Sequence, residues 1–263
     1  MAFDAAVVVT TVCRPSLLRA VRSVYAQDYS GTIQVLVGVD VDPGAASDAL
    51  YAQLERECPR HVVLTWMNLG YSTSRRHGGV HACGYGGSLR SALSFCANAR
   101  HVAYLDDDDW YEPTHLRRLR AAIEGRHWAY TLCWYADPDS GRAICEDGLE
   151  SLGPGLGCYA QRYGGFVRPS ALMIDKLALP EVLHLWSLSP YPGGDGEDRL
   201  VFEALRHDAS HASTGEHTVY YALDPRDANA ALRAQYMRSR GITPPPVSKP
   251  DSTRALPAPA AQA

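Results

Sequence analysis

The amino-acid sequence predicts an α/β fold: an open sheet, parallel in the first half of the chain and mixed in the second, with helices on both faces. Short apolar runs rich in β-branched residues alternate with segments whose apolar residues recur every three or four positions. The first run, helix and second run form a βαβ unit, which makes its two strands parallel with a right-handed crossover. A chain of 263 residues, 46% of them hydrophobic, is long enough to bury a full core.

The first half of the chain is predicted to hold four strands and four helices. The strands are 5–9, 33–39, 62–66 and 101–105, and the helices are 15–25, 46–57, 88–97 and 114–124. The second half is less regular, with strands at 128–134, 165–174 and 218–222 and a last helix at 197–206. An open sheet of this kind binds ligands at the carboxyl ends of its strands.

The composition of the chain predicts where its folded domain ends and a tail begins. We expect a single domain over residues 1–240, in which the first half covers about 1–125 and the second about 126–240. Residues 241–263 are rich in Pro and Ala and have too little apolar content to repay the entropy of ordering. This tail is therefore predicted to be disordered.

Charge, hydropathy and cysteine usage exclude several classes of protein. The net charge of -4 gives no general attraction for nucleic acid. No apolar run approaches the ~20 residues of a membrane helix, although association with a membrane surface stays open. Seven cysteines without a C-x-x-C pair indicate reduced thiols rather than disulfides or a zinc ribbon. We predict a cytoplasmic protein.

The fourth strand leads directly into four aspartates, Asp106 to Asp109, followed by Trp110. Two carboxylates about 4 Å apart repel by about 4 kcal/mol at an effective dielectric constant of about 20. The position of the cluster at a strand's carboxyl end indicates a ligand, and a divalent cation would remove the repulsion. Carboxylate oxygens without neighbouring His or Cys suit Mg²⁺ or Mn²⁺.

The four aspartates also have interpretations other than a metal-binding site. Acidic runs also form solvated surfaces, and Asp109 is placed to cap the following helix. The spacing of a calcium EF-hand is absent. A phosphatase with an aspartyl nucleophile would carry Thr or Val where Trp110 stands.

The chain resembles family 2 glycosyltransferases over about residues 5–225. Val9 to Pro15 resembles the opening P-T-x-N-R-P of that family. Arg90 to Asp106 matches the spacing of its R-N-x-G…L-D segment without a gap, and this segment ends in the family's L-D-x-D-D. Shorter matches are Val39-Asp40, Asn68-Leu69-Gly70, Gly196-Glu197-Asp198 and Val219 to Pro225. The resemblance is strong to about residue 120 and thin beyond.

The resemblance implies a GT-A-type, Rossmann-like fold and an inverting transfer of sugar from a nucleotide-diphosphate donor, preferably a UDP-sugar, to a carbohydrate or other hydroxyl acceptor. Residues 1–125 would bind the nucleotide and 126–240 the acceptor. The residues implied for the nucleotide-sugar are Thr10, Thr11, Arg14, Asp40 (or Asp42), Arg90, Asp106 and Asp107. Those implied for Mg²⁺ or Mn²⁺ are Asp108, Asp106 and Asp224.

Several positions depart from the family pattern. Thr10 replaces Pro, Cys13 and Ser91 replace Asn, Val41 replaces an acid, and Asp224 stands where a metal-binding His is common. His217 and His211 are alternatives for that ligand. These departures keep open a catalytically silent nucleotide-sugar-binding module. A nucleotidyltransferase is a further alternative, although residues 10–15 contain no Gly for a phosphate loop.

Asp198 is implied as the general base, with Glu197 beside it and Asp195 as a substitute. The dipole of the predicted helix favours the ionised form of a carboxylate in its first turn, so Asp198 is expected to be a weak base unless burial raises its pKa. Helix capping is the alternative role for this acidic pair. The Gly-rich segment 77–87 would be a cover over the diphosphate or a surface loop, and Trp186 and Tyr191 would stack on sugar or pack in the core.

Overall fold

The computed structural model describes residues 2–246. Its strands in chain order are β1 (Ala5–Thr11), β2 (Ile33–Val39), β3 (Val62–Asn68), β4 (His101–Asp106), β5 (Trp110–Tyr111), β6 (Trp128–Ala136), β7 (Ala143–Glu146), β8 (Gly153–Pro154), β9 (Gly165–Phe166), β10 (Leu172–Asp175) and β11 (His211–Ala222). The α-helices are α1 (Leu17–Tyr25), α2 (Ala45–Glu57), α3 (Gly87–Cys96), α4 (His115–Ala122), α5 (Ala160–Tyr163), α6 (Glu197–Arg206) and α7 (Ala230–Ser239).

Nine of the described strands form one sheet in the order β3-β2-β1-β4-β10-β6-β11-β5, with β7 paired to β6. Strands β1 to β4 are parallel to one another. Strand β10 is antiparallel to both β4 and β6, whereas β6 and β11 are parallel. The predicted α/β sheet, parallel first and mixed later with helices around it, is therefore confirmed.

The core lies around β1 and β2, every residue of which is buried. Helix α1 packs there because Leu17, Ala20, Val21 and Val24 lie on one face. Trp128 and Trp186 are also fully buried, which carries the core into the second half of the chain. The nine-stranded sheet and the larger hydrophobic cluster thus include residues from both halves.

The second half differs from the prediction in several elements. The strand expected over 165–174 is two short strands, β9 and β10, because a 3-10 helix at Pro169–Ala171 separates them. Strand β11 begins at His211 rather than 218, and irregular pairing with β6 follows Ser213. Strands β5 and β7 and helix α7 were not predicted.

The predicted tail begins just after α7. Residues 241–246 are described, and Ile242 packs against a small cluster formed by Tyr135, Leu223 and Met237. The rest of the tail, 247–263, lies outside the described residues. Within residues 2–246, none of the helices combines the length and the hydropathy needed to cross a bilayer.

Candidate functional site

The carboxyl ends of β1, β2 and β4 lie side by side, and the predicted site residues follow them. Thr10 pairs with Gly38 of β2 on one side and with Asp106 of β4 on the other. Asp40 directly follows β2, is buried, and donates its backbone N–H to the carbonyl of Thr11 at 2.8 Å. The fold thus brings together three segments that lie far apart in the sequence, around residues 10, 40 and 106.

Arg90 joins α3 to the end of β4. Its Nη2 lies 2.6 Å from Oδ1 of Asp106 and donates to Oγ1 of Thr10 at 3.2 Å. The guanidinium also lies over the buried Trp186 ring, with Cζ 4.9 Å from the ring centroid. The Arg90 side chain is only 5% exposed, so this cation is fixed in place.

Arg14, just beyond β1, forms ion pairs with the next two aspartates. A single nitrogen, Nη1, lies 3.1 Å from Oδ1 of Asp107 and 2.8 Å from Oδ2 of Asp108. Oγ1 of Thr11 donates to Oδ2 of Asp107 at 2.6 Å. Desolvation, followed by repulsion from Asp107 and Asp106, raises the pKa of Asp108 to about 6 despite Arg14. The strand end therefore keeps an excess of negative charge.

Asp109 has a different role from the other three aspartates. It does not cap the next helix, which begins at His115. Its side chain is buried and accepts hydrogen bonds from Oγ of Ser170 at 2.6 Å and from the backbone N–H of Ala222 at 3.1 Å. Asp109 therefore holds the end of β11 against the end of β4, and the acidic run divides into three site residues and one anchor.

The start of α6 faces this strand end. Burial, followed by repulsion from Asp198, raises the pKa of Glu197 to about 8, and Arg90 opposes this rise. Burial also raises the pKa of Asp198, on which the charges of Asp106 and Arg90 act as well. The expected effect of the helix dipole on Asp198 is therefore outweighed by burial. Both acids lie within electrostatic reach of the Arg90–Asp106 pair.

Asp195, the alternative base, is held by another contact. Its Oδ1 lies 3.1 Å from Nη2 of Arg76. The backbone N–H of Gly84 donates to the carbonyl of Gly194 at 2.7 Å. The Gly-rich segment is thus tied to the loop that precedes α6. Sequence reasoning selected the segment but not Arg76, because the partner of this residue is 119 positions away.

Asp224 lies near the cluster, since its charge acts on Arg14. Its carboxylate accepts hydrogen bonds from the Arg226 side chain at 3.1 and 3.3 Å. Each proposed metal ligand, Asp106, Asp108 and Asp224, thus has an arginine partner.

The two histidines considered as metal ligands lie elsewhere on β11. His211 stacks on Trp128 with ring centroids 4.6 Å apart, at the start of the strand. The ring centroids of His217 and Trp134 lie 5.1 Å apart. Both contacts are away from Ala222, where β11 meets the acidic cluster. The structure therefore does not bring either histidine to Asp108.

The end of β2 includes a contact that sequence reasoning missed. Oγ of Ser72 donates to Oδ1 of Asp40 at 2.9 Å, which fixes this carboxylate at the end of β2. Asp42, the alternative to Asp40, is exposed and accepts from the backbone N–H of Gly44 in a turn. Trp186 is 1% exposed and packs in the core, so its face is not available to a sugar.

The acidic cluster can supply only part of the coordination shell of Mg²⁺ or Mn²⁺. Over residues 2–246, no group of three or more His, Cys, Asp or Glu side chains is arranged to hold a metal ion. An all-protein cage therefore does not fit. The half-exposed carboxylate of Asp108, with its raised pKa, does fit a cation that takes one or two carboxylates and completes its shell with water and phosphate oxygens.

Comparison with protein-family models gave no match, and neither did comparison with curated proteins. Among solved structures, S. aureus TarS is similar over 91% of this chain and 40% of its own, at 15% identity and a TM-score of 0.58. TarS 1-349 in complex with UDP is similar over 88% of this chain and 63% of its own, at 15% identity and a TM-score of 0.58. TarS 1-349 in complex with UDP-GlcNAc is similar over 84% of this chain and 59% of its own, at 12% identity and a TM-score of 0.60.

The chain spans less than two thirds of the length of each of these structures. At this level of identity the comparison concerns the fold. The expected membership of family 2 stays a prediction. The chain shares the fold of a part of TarS.

Proposed function

We propose that the chain is a glycosyltransferase that moves a sugar from a UDP-sugar to an acceptor hydroxyl, with inversion at the anomeric carbon and dependence on Mg²⁺ or Mn²⁺. One observation carries the proposal: the ends of β1 and β4 and the start of α6 converge on the Arg90–Asp106 pair. The TarS structures with UDP and UDP-GlcNAc support a nucleotide-sugar as the ligand of this fold.

The nucleotide would lie along the strand ends. Thr10, Thr11 and Asp40 would contact the base or ribose, with Asp40 oriented by Ser72. Asp106 and Asp107 would lie near the ribose. Arg90 would face the diphosphate, where a fixed and buried guanidinium binds an anion without further ordering.

Asp108 would hold the metal, with Asp106 and Asp224 beside it. When bound, such a cation stabilises the negative charge that develops on the departing diphosphate. Arg90 supports the same charge from the protein. The arrangement therefore favours the transition state, in which this charge is larger than in the bound donor.

The start of α6 would supply the proton acceptor. The acceptor oxygen bonds to the anomeric carbon while the bond from that carbon to the diphosphate oxygen breaks, and the hydroxyl proton passes to the Asp198 carboxylate. Attack from the face opposite the leaving group inverts the configuration. Glu197, with a pKa of about 8, is protonated at neutral pH and leaves Asp198 as the ionised member of the pair.

Titration calorimetry with UDP, ADP and GDP, each with and without Mn²⁺, tests the proposal. We expect UDP to bind most tightly and Mn²⁺ to strengthen its binding. Asp108→Asn should remove the Mn²⁺-dependent gain. Asp139→Asn, at an exposed turn, is the matched control and should bind like the wild type. Equal binding of all three nucleotides, or an unchanged Mn²⁺ effect in Asp108→Asn, would contradict the proposal.

A silent nucleotide-sugar-binding module is the second candidate. The arginine contacts on Asp106, Asp108 and Asp224 favour it, because they neutralise these carboxylates without a metal. Both candidates predict donor binding. Slow, Mn²⁺-dependent hydrolysis of UDP-GlcNAc that is lost in Asp108→Asn would support the enzyme, and saturable binding without turnover would support the module.

A further inference from the structure

We propose that Arg14 is an exchangeable counter-ion: it occupies Asp108 in the unliganded protein and leaves this carboxylate when a divalent cation binds there. The inference rests on the proposed function, since it concerns the same cation and diphosphate. It adds a positioning role for a residue at the end of β1, which the acid cluster alone does not specify.

The two arginines at the strand end differ in how firmly they are held. The side chain of Arg90 is 5% exposed, donates to Asp106 and Thr10, and lies over the Trp186 ring. The side chain of Arg14 is 39% exposed, and that of its partner Asp108 is 47% exposed. Ion pairs that water reaches are weak. Arg14 is therefore the cation that can leave, and Arg90 is the one that stays.

The geometry of the Arg14 contact also favours exchange. A single nitrogen, Nη1, makes both carboxylate contacts, rather than the two-nitrogen fork that gives the strongest arginine–carboxylate pairs. The remaining guanidinium N–H groups stay available for another anion. Asp107, which is buried, keeps its hydrogen bond from Thr11 if Arg14 moves, so that it is not left without a partner.

The backbone before Arg14 is fixed, which confines the exchange to the side chain. Cys13 has φ +60°, in the left-handed region, and its N–H donates to Oγ1 of Thr11 at 2.8 Å. This turn sets the start of the Arg14 side chain beside the strand end. A nucleotide diphosphate brings new negative charge to that place, and phosphate oxygens match the arginine fork. The released guanidinium would move from Asp108 to the diphosphate.

Mn²⁺ binding to the full chain, followed by electron paramagnetic resonance of free Mn²⁺, tests the exchange without any turnover. Without nucleotide, Arg14→Met should bind Mn²⁺ at least ~5-fold more tightly than the wild type, because the competing cation is gone. With UDP present this advantage should shrink, because the variant lacks the guanidinium that would bind the diphosphate.

Arg19→Met is the matched control. The charge of Arg19 also acts on Asp109 and Asp108, but its Nη1 donates to the carbonyl of Pro138. Removing this charge should change Mn²⁺ affinity less than twofold. Arg14→Lys retains the positive charge, and its Mn²⁺ affinity should stay closer to that of the wild type than to that of Arg14→Met. A cooperative melting transition of Arg14→Met shows that this variant is folded. Asp108→Asn combined with Arg14→Met should abolish the gain and so place the cation at Asp108.

Equal Mn²⁺ affinity in the wild type and Arg14→Met would overturn the inference, as would an equal gain in Arg19→Met, since that would indicate only a general loss of positive charge. UDP binding can persist in either case, and the nucleotide part of the proposed function would then stand. Conversely, a gain in Arg14→Met without any binding of UDP would support the exchange and contradict the proposed function.

Discussion

Glu197 and Asp198 are neighbours in the sequence but have different surroundings at the start of α6. Glu197 is 6% exposed, and burial raises its pKa to about 8. Asp198 is half-buried, and its pKa is also raised. Two adjacent buried acids that repel each other do not both ionise readily. Glu197, whose pKa is about 8, is therefore the member of the pair that favours its protonated form at neutral pH.

We therefore expect the amide substitutions Asp198→Asn and Glu197→Gln to affect activity differently. Asp198→Asn removes the group that accepts the acceptor's proton and should lower kcat/KM by ~10²–10⁴-fold. Glu197→Gln resembles the protonated acid and should retain activity at pH 7 within about threefold. Initial rates of sugar transfer from the donor that binds measure both. A larger loss in Glu197→Gln would assign the base to Glu197 instead.

The stability of the protein should also report the Glu197 proton. Its pKa is about 8 in the folded chain against an ordinary value of 4.5. Between these two values the folded state holds a proton that the unfolded state releases, so stability decreases as pH rises through this window. Because Gln does not titrate, Glu197→Gln should not show this decrease in stability. Its Tm should therefore exceed that of the wild type by more at pH 8 than at pH 5, and a constant difference would contradict the raised pKa.

Helix α7 is held by a buried ionic network as well as by its buried apolar residues Ala230, Ala234 and Met237. Glu150 accepts hydrogen bonds from Arg233 of α7, from Arg168 at 2.6 Å and from the Tyr135 hydroxyl at 2.9 Å. Burial opposes ionisation of Glu150, but the two arginines outweigh it and lower its pKa to about 2. This single carboxylate connects α7, β6 and the segment before β10.

Replacing Glu150 should therefore destabilise the fold strongly. Glu150→Gln removes the nearest counter-charge of two buried arginines, which keep only the longer contacts of Arg168 with Asp147 at 3.7 Å and of Arg233 with Asp227 at 3.3 Å. We expect the free energy of unfolding to fall by about 3–5 kcal/mol at pH 7. The loss should shrink as pH falls from 4.5 towards 2, because the unfolded wild type takes up a proton at Glu150 in this window while the folded state does not. Urea unfolding of the wild type and the variant measures this change in the free energy of unfolding. Glu124→Gln, at an exposed pair with Arg120, is the control and should change stability by less than about 1 kcal/mol.

Local sequence patterns predicted the elements that are apolar throughout and missed those that depend on distant partners. Strands β1 and β2 were predicted to within two residues at either end, since each is continuous in apolar residues and buried. Helix α7 was missed because its buried face includes Arg233, whose partner Glu150 is 83 residues away. No periodicity of apolar residues reveals such a pair.

The same distinction holds for the site in the whole molecule. Motif spacing led to Thr10, Arg90 and Asp106, which the sheet brings together. It did not reveal that Asp109 is an anchor or that Arg76 holds Asp195, because both contacts join segments more than 60 residues apart. The roles of the assembled residues stay predictions until they are measured.

Strand β10 lies between β4 and β6 and pairs with both in the antiparallel direction. Its four residues come from the second half of the chain, yet they complete the backbone pairing of a strand from the first. A polypeptide ending near residue 125 would therefore present β4 as an open sheet edge, a surface prone to self-association. Residues from both halves of the chain are therefore needed to complete the backbone pairing of β4.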